Sequence, residues 1–234
     1  MLDFKFHFRA AFAVLAFATA QASATSIPIL NASFEADTTY GVSGGQNKYT
    51  VGSPANWSAV GTSGYWHPSD YHYGGGMGTK PAPNVPDGVN VGFIFGGGSL
   101  SQTLGATLTS NTSYTLSLAV GHRIGLGQPS YLIELLAGGK VIASFANPIH
   151  PSSGKFGLAT LNYESSAHED YVGRALGIRL SSLSSAVEFD KIALNAVSAV
   201  PEAQTYAMLL TGLGLLGFVR RRGARGKANA CARV

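Results

Sequence analysis

The feature that most constrains the fold of this chain is a long succession of short apolar or alternating runs between residues 27 and 197. Glycine, serine, asparagine and proline bound these runs, and no long helical periodicity interrupts them. Such turn-punctuated runs are typical of the strands of an all-β sandwich. Polar and apolar side chains alternate over residues 115–120, as expected of a strand with one face on a core. Gly138-Gly139 joins two runs and predicts a tight hairpin.

These runs predict one domain held together by a buried apolar core. We predict strands at residues 27–34, 56–60, 89–95, 99–104, 113–120, 131–136, 141–145, 157–163, 175–180 and 187–194. The single cysteine, Cys231, lies beyond this region. No disulfide can therefore connect the strands, and the stability of the domain must come from its core.

Both ends of the chain are typical of targeting segments. Residues 1–24 have a basic start, an apolar centre and a small-residue cleavage site, and they predict a secretory signal peptide. The alternative is an N-terminal membrane anchor. Near the other end, residues 203–219 carry no charge and are just long enough to cross a membrane with little tilt. The arginines that follow would remain cytoplasmic, which places everything before Pro201 outside.

The two ends also explain the basic character of the chain. Its formal net charge of +4 comes from 16 basic and 12 acidic residues. Eight of the basic residues lie in the end segments: Lys5, Arg9, Arg220, Arg221, Arg222, Arg225, Lys227 and Arg233. Since the exported part is then net acidic, the sequence pI of about 9.2 does not indicate nucleic-acid binding.

The C-terminal segment resembles the PEP-CTERM sorting domain, which exosortases process in Gram-negative bacteria that make extracellular polysaccharide. The resemblance rests on an apolar run between two short motifs, Val200-Pro201-Glu202 and Arg220-Arg221-Arg222. Ala203 replaces the usual second proline. The resemblance implies a sorting signal at 199–225 with a transmembrane helix at about 203–219, and a cytoplasmic tail at 226–234. The alternative is a plain C-terminal anchor that is not cleaved.

This resemblance also implies a route to the cell exterior. An exosortase-type enzyme would be a partner of the chain, and the membrane would hold the precursor through the C-terminal helix before processing. The precursor would be anchored in the inner membrane of a Gram-negative bacterium and then delivered to the cell surface or the extracellular matrix.

A second resemblance covers most of residues 27–197, within a domain that we predict at 25–198. Residues 31–35, Asn-Ala-Ser-Phe-Glu, look like the opening of galactose-binding-like jelly rolls, the fold of many carbohydrate-binding modules. Residues 99–104 and 114–121 are similar to their paired central strands, and residues 187–194 resemble their closing strand. The order of these motifs along the chain implies a jelly-roll β-sandwich.

In related modules an N-terminal acid and the aspartate of the last strand hold a structural calcium ion. Glu35 and Asp190 match those positions, and carboxylate oxygens are ligands that calcium prefers. Lys191 stands where the family often has Asn or Asp. The resemblance therefore implies a calcium site at Glu35 and Asp190, and the alternative is that both are ordinary strand-end acids.

Aromatic and polar side chains cluster between residues 57 and 73, and we predict that Tyr65, Trp66, Tyr71 and Tyr73 lie in a Gly/Pro/Ser-rich loop. Aromatic rings pack against the apolar faces of sugars, whereas polar side chains pair with their hydroxyls. Trp57 follows a turn and opens a strand, so we expect it in the core. We predict a ligand surface formed by Tyr65, Trp66, His67, Asp70, Tyr71 and Tyr73, with Arg123 reaching the same rim. The alternative is that the loop packs its aromatic side chains onto the sandwich.

Together these features predict an exported, non-catalytic protein that binds extracellular polysaccharide. No catalytic pair of acids stands out, because Asp70, Asp87, Glu134, Glu164, Glu169 and Asp170 are scattered. The alternatives are a structural or adhesive surface protein without a sugar site, and a polysaccharide-active enzyme. Exposed loop aromatics would favour the sugar binder, buried ones the structural protein, and paired acids in a cleft the enzyme.

Overall fold

A computed structural model of the chain describes residues 23–37, 48–78, 80–168, 170–198 and 210–214. The chain divides into two compact units, and one of them, Ser23–Ala199, contains the described strands. In the other unit residues 210–214 are helical. Within the described ranges, no helix is long and apolar enough to cross a membrane. The predicted signal peptide up to residue 22 and the sorting-signal residues at 200–202 and 220–222 lie outside the described residues.

The strands form two antiparallel sheets. In chain order their bounds are β1 Thr25–Ile27, β2 Lys48–Val51, β3 Ser58–Val60, β4 Ser63–His67, β5 Val91–Ile94, β6 Ser99–Thr107, β7 Thr112–His122, β8 Tyr131–Ala137, β9 Lys140–Ala146, β10 Lys155–Glu164, β11 Ala175–Ser182 and β12 Val187–Ser198. In the seven-stranded sheet six strands follow the order β10-β7-β12-β5-β4-β2, and β1 is the seventh. The five-stranded sheet has the order β3-β6-β11-β8-β9. β1 and β5 pair with opposite ends of β12. These two sheets confirm the predicted all-β jelly-roll sandwich.

The hydrophobic core lies between the two sheets. Leu116 and Leu118 of β7, Ile133 of β8 and Phe189 of β12 are fully buried there. Each such side chain stabilises the fold by about 1.5–3 kcal/mol relative to an exposed position. Trp57 is buried in the same core, as predicted.

The predicted first strand is wrong beyond Ile27, because residues 30–37 form a succession of turns. Asn31 and Phe34 have φ values of 51° and 60°, which strands do not adopt. The Gln102 side chain accepts a hydrogen bond from the Leu30 amide at 2.9 Å and donates one to the Leu30 carbonyl at 2.8 Å. A side chain therefore satisfies the backbone where a neighbouring strand was expected.

The predicted loop around Tyr65 to Tyr73 is also wrong in part, because Tyr65, Trp66 and His67 belong to β4. β4 pairs with β2 on one side and β5 on the other. Tyr65 packs in the core between the sheets, whereas Trp66 packs on the opposite face of its sheet. Since both faces are covered, β4 lacks the alternation that identifies half-buried strands in a sequence.

The predicted hairpin between β8 and β9 is confirmed. Gly138 and Gly139 connect the two strands with φ values of 58° and 78°. A two-residue turn of this kind needs positive φ at both central positions, which glycine adopts without strain.

We expect Gly64→Ala to destabilise the sandwich by about 1–3 kcal/mol. A Cβ atom at Gly64 would overlap the Thr50 carbonyl oxygen of the paired strand β2. Gly105 is the matched control, because it is exposed in β6 and no atom lies within 4 Å of its Cβ position. Chemical denaturation should show a loss of stability for Gly64→Ala and none for Gly105→Ala. Equal stability of the two variants would contradict the close approach of β2 to β4.

Candidate functional site

The outer face of the seven-stranded sheet carries a row of paired residues that crosses six of its strands. The row places Glu188 of β12 directly between Phe93 of β5 and Gly121 of β7. Its members, from the edge strand β2 across to the opposite edge strand β10, are Val51, Gly64, Phe93, Glu188, Gly121 and Phe156. Because residues paired across neighbouring strands share a face of the sheet, an acid lies in the middle of an otherwise apolar surface.

A pocket of about 460 Å³ opens above this row. We call it the aromatic pocket, and its lining residues are Tyr49, Val51, Thr62, Trp66, Phe93, Phe95, Arg123 and Glu188. Phe93 meets Tyr49 and Phe95 edge-on, with ring centroids 6.2 and 5.8 Å apart. A pocket of this size with aromatic walls and a few polar groups is suited to a small, flat, largely apolar ligand.

Glu188 is the acid of the aromatic pocket, and its side chain is fully buried. Its Oε2 accepts a hydrogen bond from the Tyr73 hydroxyl at 2.8 Å, whereas Oε1 has no partner among the described residues. Burial raises the pKa of Glu188 to about 7, against the opposing influence of the Tyr73 hydrogen bond and of the charges on Arg123 and His122. The carboxyl therefore retains a proton at much higher pH than an exposed glutamate does.

Tyr73 reaches Glu188 because Gly121 has no side chain. A Cβ atom at Gly121 would collide with the Tyr73 hydroxyl and with the Phe156 ring. The Tyr73 ring stacks on Phe156 with centroids 4.5 Å apart. Burial, followed by the charge of Glu188, raises the pKa of Tyr73 well above its ordinary value. Tyr73 is therefore a neutral phenol that donates its hydrogen bond to Glu188.

Arg123 forms one wall of the aromatic pocket. Its Cζ lies 4.8 Å from the centre of the Trp66 ring, a cation–π contact. Its Nη2 lies 2.9 Å from His72 Nε2, and His72 Nδ1 lies 3.0 Å from Ser69 Oγ. A guanidinium group only donates hydrogen bonds, so Nε2 of His72 accepts and its proton is on Nδ1. Burial, then the charge of Arg123, lowers the pKa of His72 to about 4.

The structure brings together only part of the predicted ligand surface. Trp66 and Arg123 line the aromatic pocket, and the Tyr73 hydroxyl reaches Glu188 over Gly121 on the same face of the sheet. Tyr65 lies on the other face of β4, in the core. His67 is half-buried at the end of β4.

The other two predicted residues lie in the loop after β4. Asp70 holds this loop together, since its Oδ1 accepts a hydrogen bond from the Gly78 amide at 2.8 Å. The Tyr71 side chain is 54% exposed, and its ring meets His72 edge-on. Burial of the region is thus mixed, with an exposed Tyr71 beside the buried Trp66 and Tyr73.

Sequence reasoning missed Glu188, Tyr49 and Phe93. One signal was present for Glu188, because it adjoins Phe189 in a predicted strand and therefore faces away from the core. Nothing in the sequence indicated that this outer face is covered by Tyr73, which lies 115 residues away along the chain.

The predicted calcium ligands Glu35 and Asp190 do not line the aromatic pocket, although Asp190 is only two residues from Glu188 in β12. Asp190 is fully buried, and its oxygens accept hydrogen bonds from the Asp87 and Lys191 amides. Glu35 Oε1 accepts from the Val89 and Asn90 amides. Burial first, and the charges of Asp87 and Glu35 as lesser causes, raise the pKa of Asp190 to about 7.

These oxygen donors suit a hard cation in their chemistry. Across the described ranges, however, no three His, Cys, Asp or Glu side chains are grouped as metal ligands. Calcium at Glu35 and Asp190 therefore stays a prediction, and no step of the function below depends on it.

Comparison with known proteins identifies relatives of both parts of the chain. Residues 25–195 match the HpiC1-like family, described as HpiC1 cyclase. Residues 199–223 match the PEP-CTERM protein-sorting motif, which confirms the predicted sorting signal. No curated protein matches the chain.

Solved structures from Fischerella sp. TAU resemble the sandwich. The Stig cyclase Fisc, in complex with (3Z)-3-(1-methyl-2-pyrrolidinylidene)-3H-indole, is 29% identical with a TM-score of 0.64, covering 76% of this chain and 100% of its own. A cyclase in complex with 4-(1H-indol-3-yl)butan-2-one is 28% identical with a TM-score of 0.62, covering 75% of this chain and 100% of its own.

Carbohydrate-binding modules also superpose on the sandwich. The xylan-binding CBM22-1 of Paenibacillus barcinonensis Xyn10C is 14% identical with a TM-score of 0.44, covering 66% of this chain and 98% of its own. A likeness of that degree carries no argument about function.

The sorting motif indicates an exported protein that exosortase processes and targets to the cell surface. The predicted partner and the exported location are confirmed to that extent. We predicted a non-catalytic binding module, whereas the relatives of the sandwich are described as cyclases. Binding and catalysis are therefore both candidate functions of the sandwich.

We expect His72 to make the stability of the fold depend on pH. Its pKa is about 4 in the folded chain and about 6.5 when exposed, so between those values the unfolded state binds more protons and the free energy of unfolding falls as pH falls. His72→Gln retains an acceptor for Arg123 and removes the titration. Urea unfolding at about pH 7 and about pH 4.5 should show a smaller loss of stability in the variant. Equal losses would contradict a neutral His72 in the fold.

Proposed function

Because this chain belongs to the HpiC1-like family of cyclases, we propose that it closes a ring in a small aromatic molecule held in the aromatic pocket. The observation that carries the proposal is Glu188, a buried acid on the pocket floor with one oxygen bonded to Tyr73 and the other unpartnered among the described residues. A carboxyl group held in its protonated form near neutral pH is suited to general acid catalysis.

The class of ligand follows from the pocket walls and from the relatives. Two similar structures contain indole-derived ligands. In this chain Tyr49, Phe93 and Trp66 supply apolar surface on which a flat ring system can pack. The volume of about 460 Å³ suits one fused ring system with a short side chain. These features support an indole or a similar aromatic compound as the substrate.

The proposed reaction is an isomerisation that needs no further reagent. Glu188 gives its proton to a carbon–carbon double bond of the substrate and leaves a carbocation. The π electrons of the neighbouring ring form the new carbon–carbon bond, and the ring carbon then loses its proton to the Glu188 carboxylate. Tyr73 stabilises that carboxylate through its hydrogen bond, and the aromatic walls keep water away from the cation.

We expect Glu188→Gln to lower turnover by about 10²- to 10⁴-fold while binding of 4-(1H-indol-3-yl)butan-2-one changes little. The amide fits the same space and lacks the acidic proton. The assay uses the purified full-length chain and indoles with a double bond in the 3-substituent. It scores products of unchanged mass by chromatography and NMR, and in D₂O each product should carry one deuterium on carbon.

Glu164→Gln is the matched control, because Glu164 is an exposed glutamate at the end of β10. It should turn over substrate as the unaltered chain does. A Glu188→Gln chain with full turnover would refute the acid role. Failure of the unaltered chain to bind any of these indoles would refute the proposed class of ligand.

The second candidate is binding of extracellular polysaccharide by a sandwich that has no catalytic role, whether or not the sandwich is also structural. It is supported by the sorting motif, which directs the chain to the cell surface, and by the exposed Tyr71 beside Asp70.

We further propose that the precursor is anchored in the inner membrane of a Gram-negative bacterium until exosortase acts, as the arginines at 220–222 favour.

For this candidate, Tyr71→Ala should weaken the binding of extracellular polysaccharide by about 2- to 10-fold, since it removes an exposed stacking surface. Affinity electrophoresis in gels that contain the polysaccharide measures the change. Trp66→Phe is the control, because the Trp66 side chain is buried and should not contact a polymer. Unchanged migration of the Tyr71 variant, or no retardation of the unaltered chain, would reject this candidate.

A further inference from the structure

We propose that the natural ligand of the aromatic pocket carries a carboxylate and that Arg123 binds it. The inference rests on the proposed small-molecule site and adds to it the charge of the substrate. Its basis is a cation in the pocket wall whose position is fixed by neutral groups.

The Arg123 guanidinium is held in place from two sides. The Trp66 ring lies under it, and His72 Nε2 accepts one of its hydrogen bonds. The backbone after Arg123 is anchored as well, since the Ile124 amide donates to the His72 carbonyl at 3.2 Å. The guanidinium is therefore positioned before any ligand arrives.

None of these contacts supplies a negative charge. His72 accepts from Arg123 as a neutral imidazole, and Trp66 contributes only its π face. Within the described part of the chain, the ion pair present is Arg179 with Glu134, on the other sheet. Glu188, the acid of the same pocket, is hydrogen-bonded to Tyr73 and forms no ion pair with Arg123 among the described residues. Arg123 is a half-buried cation, and cations in such sites are normally paired with an acid.

The remaining donors of Arg123 match a carboxylate. A guanidinium has five N–H groups in a planar fork, and His72 accounts for one of them. Carboxylates fit that fork with two parallel hydrogen bonds. Because Arg123 and Phe93 line the same pocket, an aromatic ring can pack on the sheet while its carboxylate reaches the guanidinium.

Two indoles that differ in one group test the proposal. In 3-(1H-indol-3-yl)propanoate a carboxylate oxygen replaces the methyl group of 4-(1H-indol-3-yl)butan-2-one. Calorimetric titration of the full-length chain at about pH 7.5, where the acid is ionised, should show the propanoate binding about tenfold or more tightly than the ketone.

Arg123→Gln should weaken binding of the propanoate by about 10- to 100-fold and change the affinity for the ketone by no more than about threefold. Arg123→Lys keeps the charge but not the planar fork, so its affinity for the propanoate should lie between those of the unaltered chain and of Arg123→Gln. Arg174→Gln is the control for net charge, because Arg174 is exposed and lies outside the lining of the pocket. If Arg123→Gln does not fold, salt dependence decides, since added salt should weaken the propanoate and not the ketone.

The outcomes separate this inference from the proposed function. A ketone that binds as tightly as the propanoate would overturn the carboxylate and retain the pocket. Equal loss of both ligands in Arg123→Gln would show that Arg123 only supports Trp66. If neither ligand binds the unaltered chain, the proposed ligand class fails and this inference fails with it.

Discussion

Glu188 is held at the floor of the aromatic pocket by the register of β12 between β5 and β7. Its neighbour Phe189 is fully buried in the core, where its ring meets Tyr131 edge-on at 5.8 Å. A slip of one residue would move Phe189 to the outer face and drive Glu188 between the sheets. Burial of a carboxyl group is unfavourable unless the group is hydrogen-bonded. Apolar packing on one face of the strand therefore fixes an acid on the other, and the Tyr73 hydrogen bond offsets part of that cost.

The polar groups around the pocket form a consistent set of protonation states. Tyr73 remains a phenol because it is buried beside Glu188, and His72 remains neutral because it is buried beside Arg123. Arg123 in turn opposes the effect of burial on Glu188. The partners Glu188 and Arg123 thus favour the neutral forms of Tyr73 and His72, whereas the protonated form of Glu188 is favoured by its burial alone. A ligand with an aromatic body and an acceptor group complements all of them.

The sequence predicted the sandwich, most strands and the β8–β9 hairpin, because alternation and Gly-Gly turns are local signals. It failed at residues 28–34, where the distant Gln102 satisfies the backbone, and at β4, whose two covered faces leave no alternation. The candidate site was found only in part for the same reason. Trp66 and Arg123 stood out by residue type, whereas the role of Glu188 depends on its contact with Tyr73 over Gly121. A single sequence does not reveal such contacts between residues that are distant along the chain.

The depth of the pocket limits what can reach its acid. The side chains of Tyr49 and Val51 on the edge strand β2 are about half exposed, whereas Glu188 is fully buried. Three strand spacings separate β2 from β12, a distance of ~14 Å across the sheet. A ligand that enters over β2 must therefore be thin enough to lie between the rings of Tyr49, Phe93 and Trp66 and long enough to span that distance. A fused ring system with a short substituent meets both conditions. A polysaccharide could present only one end to Glu188, so the residues that would serve a polymer, such as Tyr71, are separate from those that surround the acid.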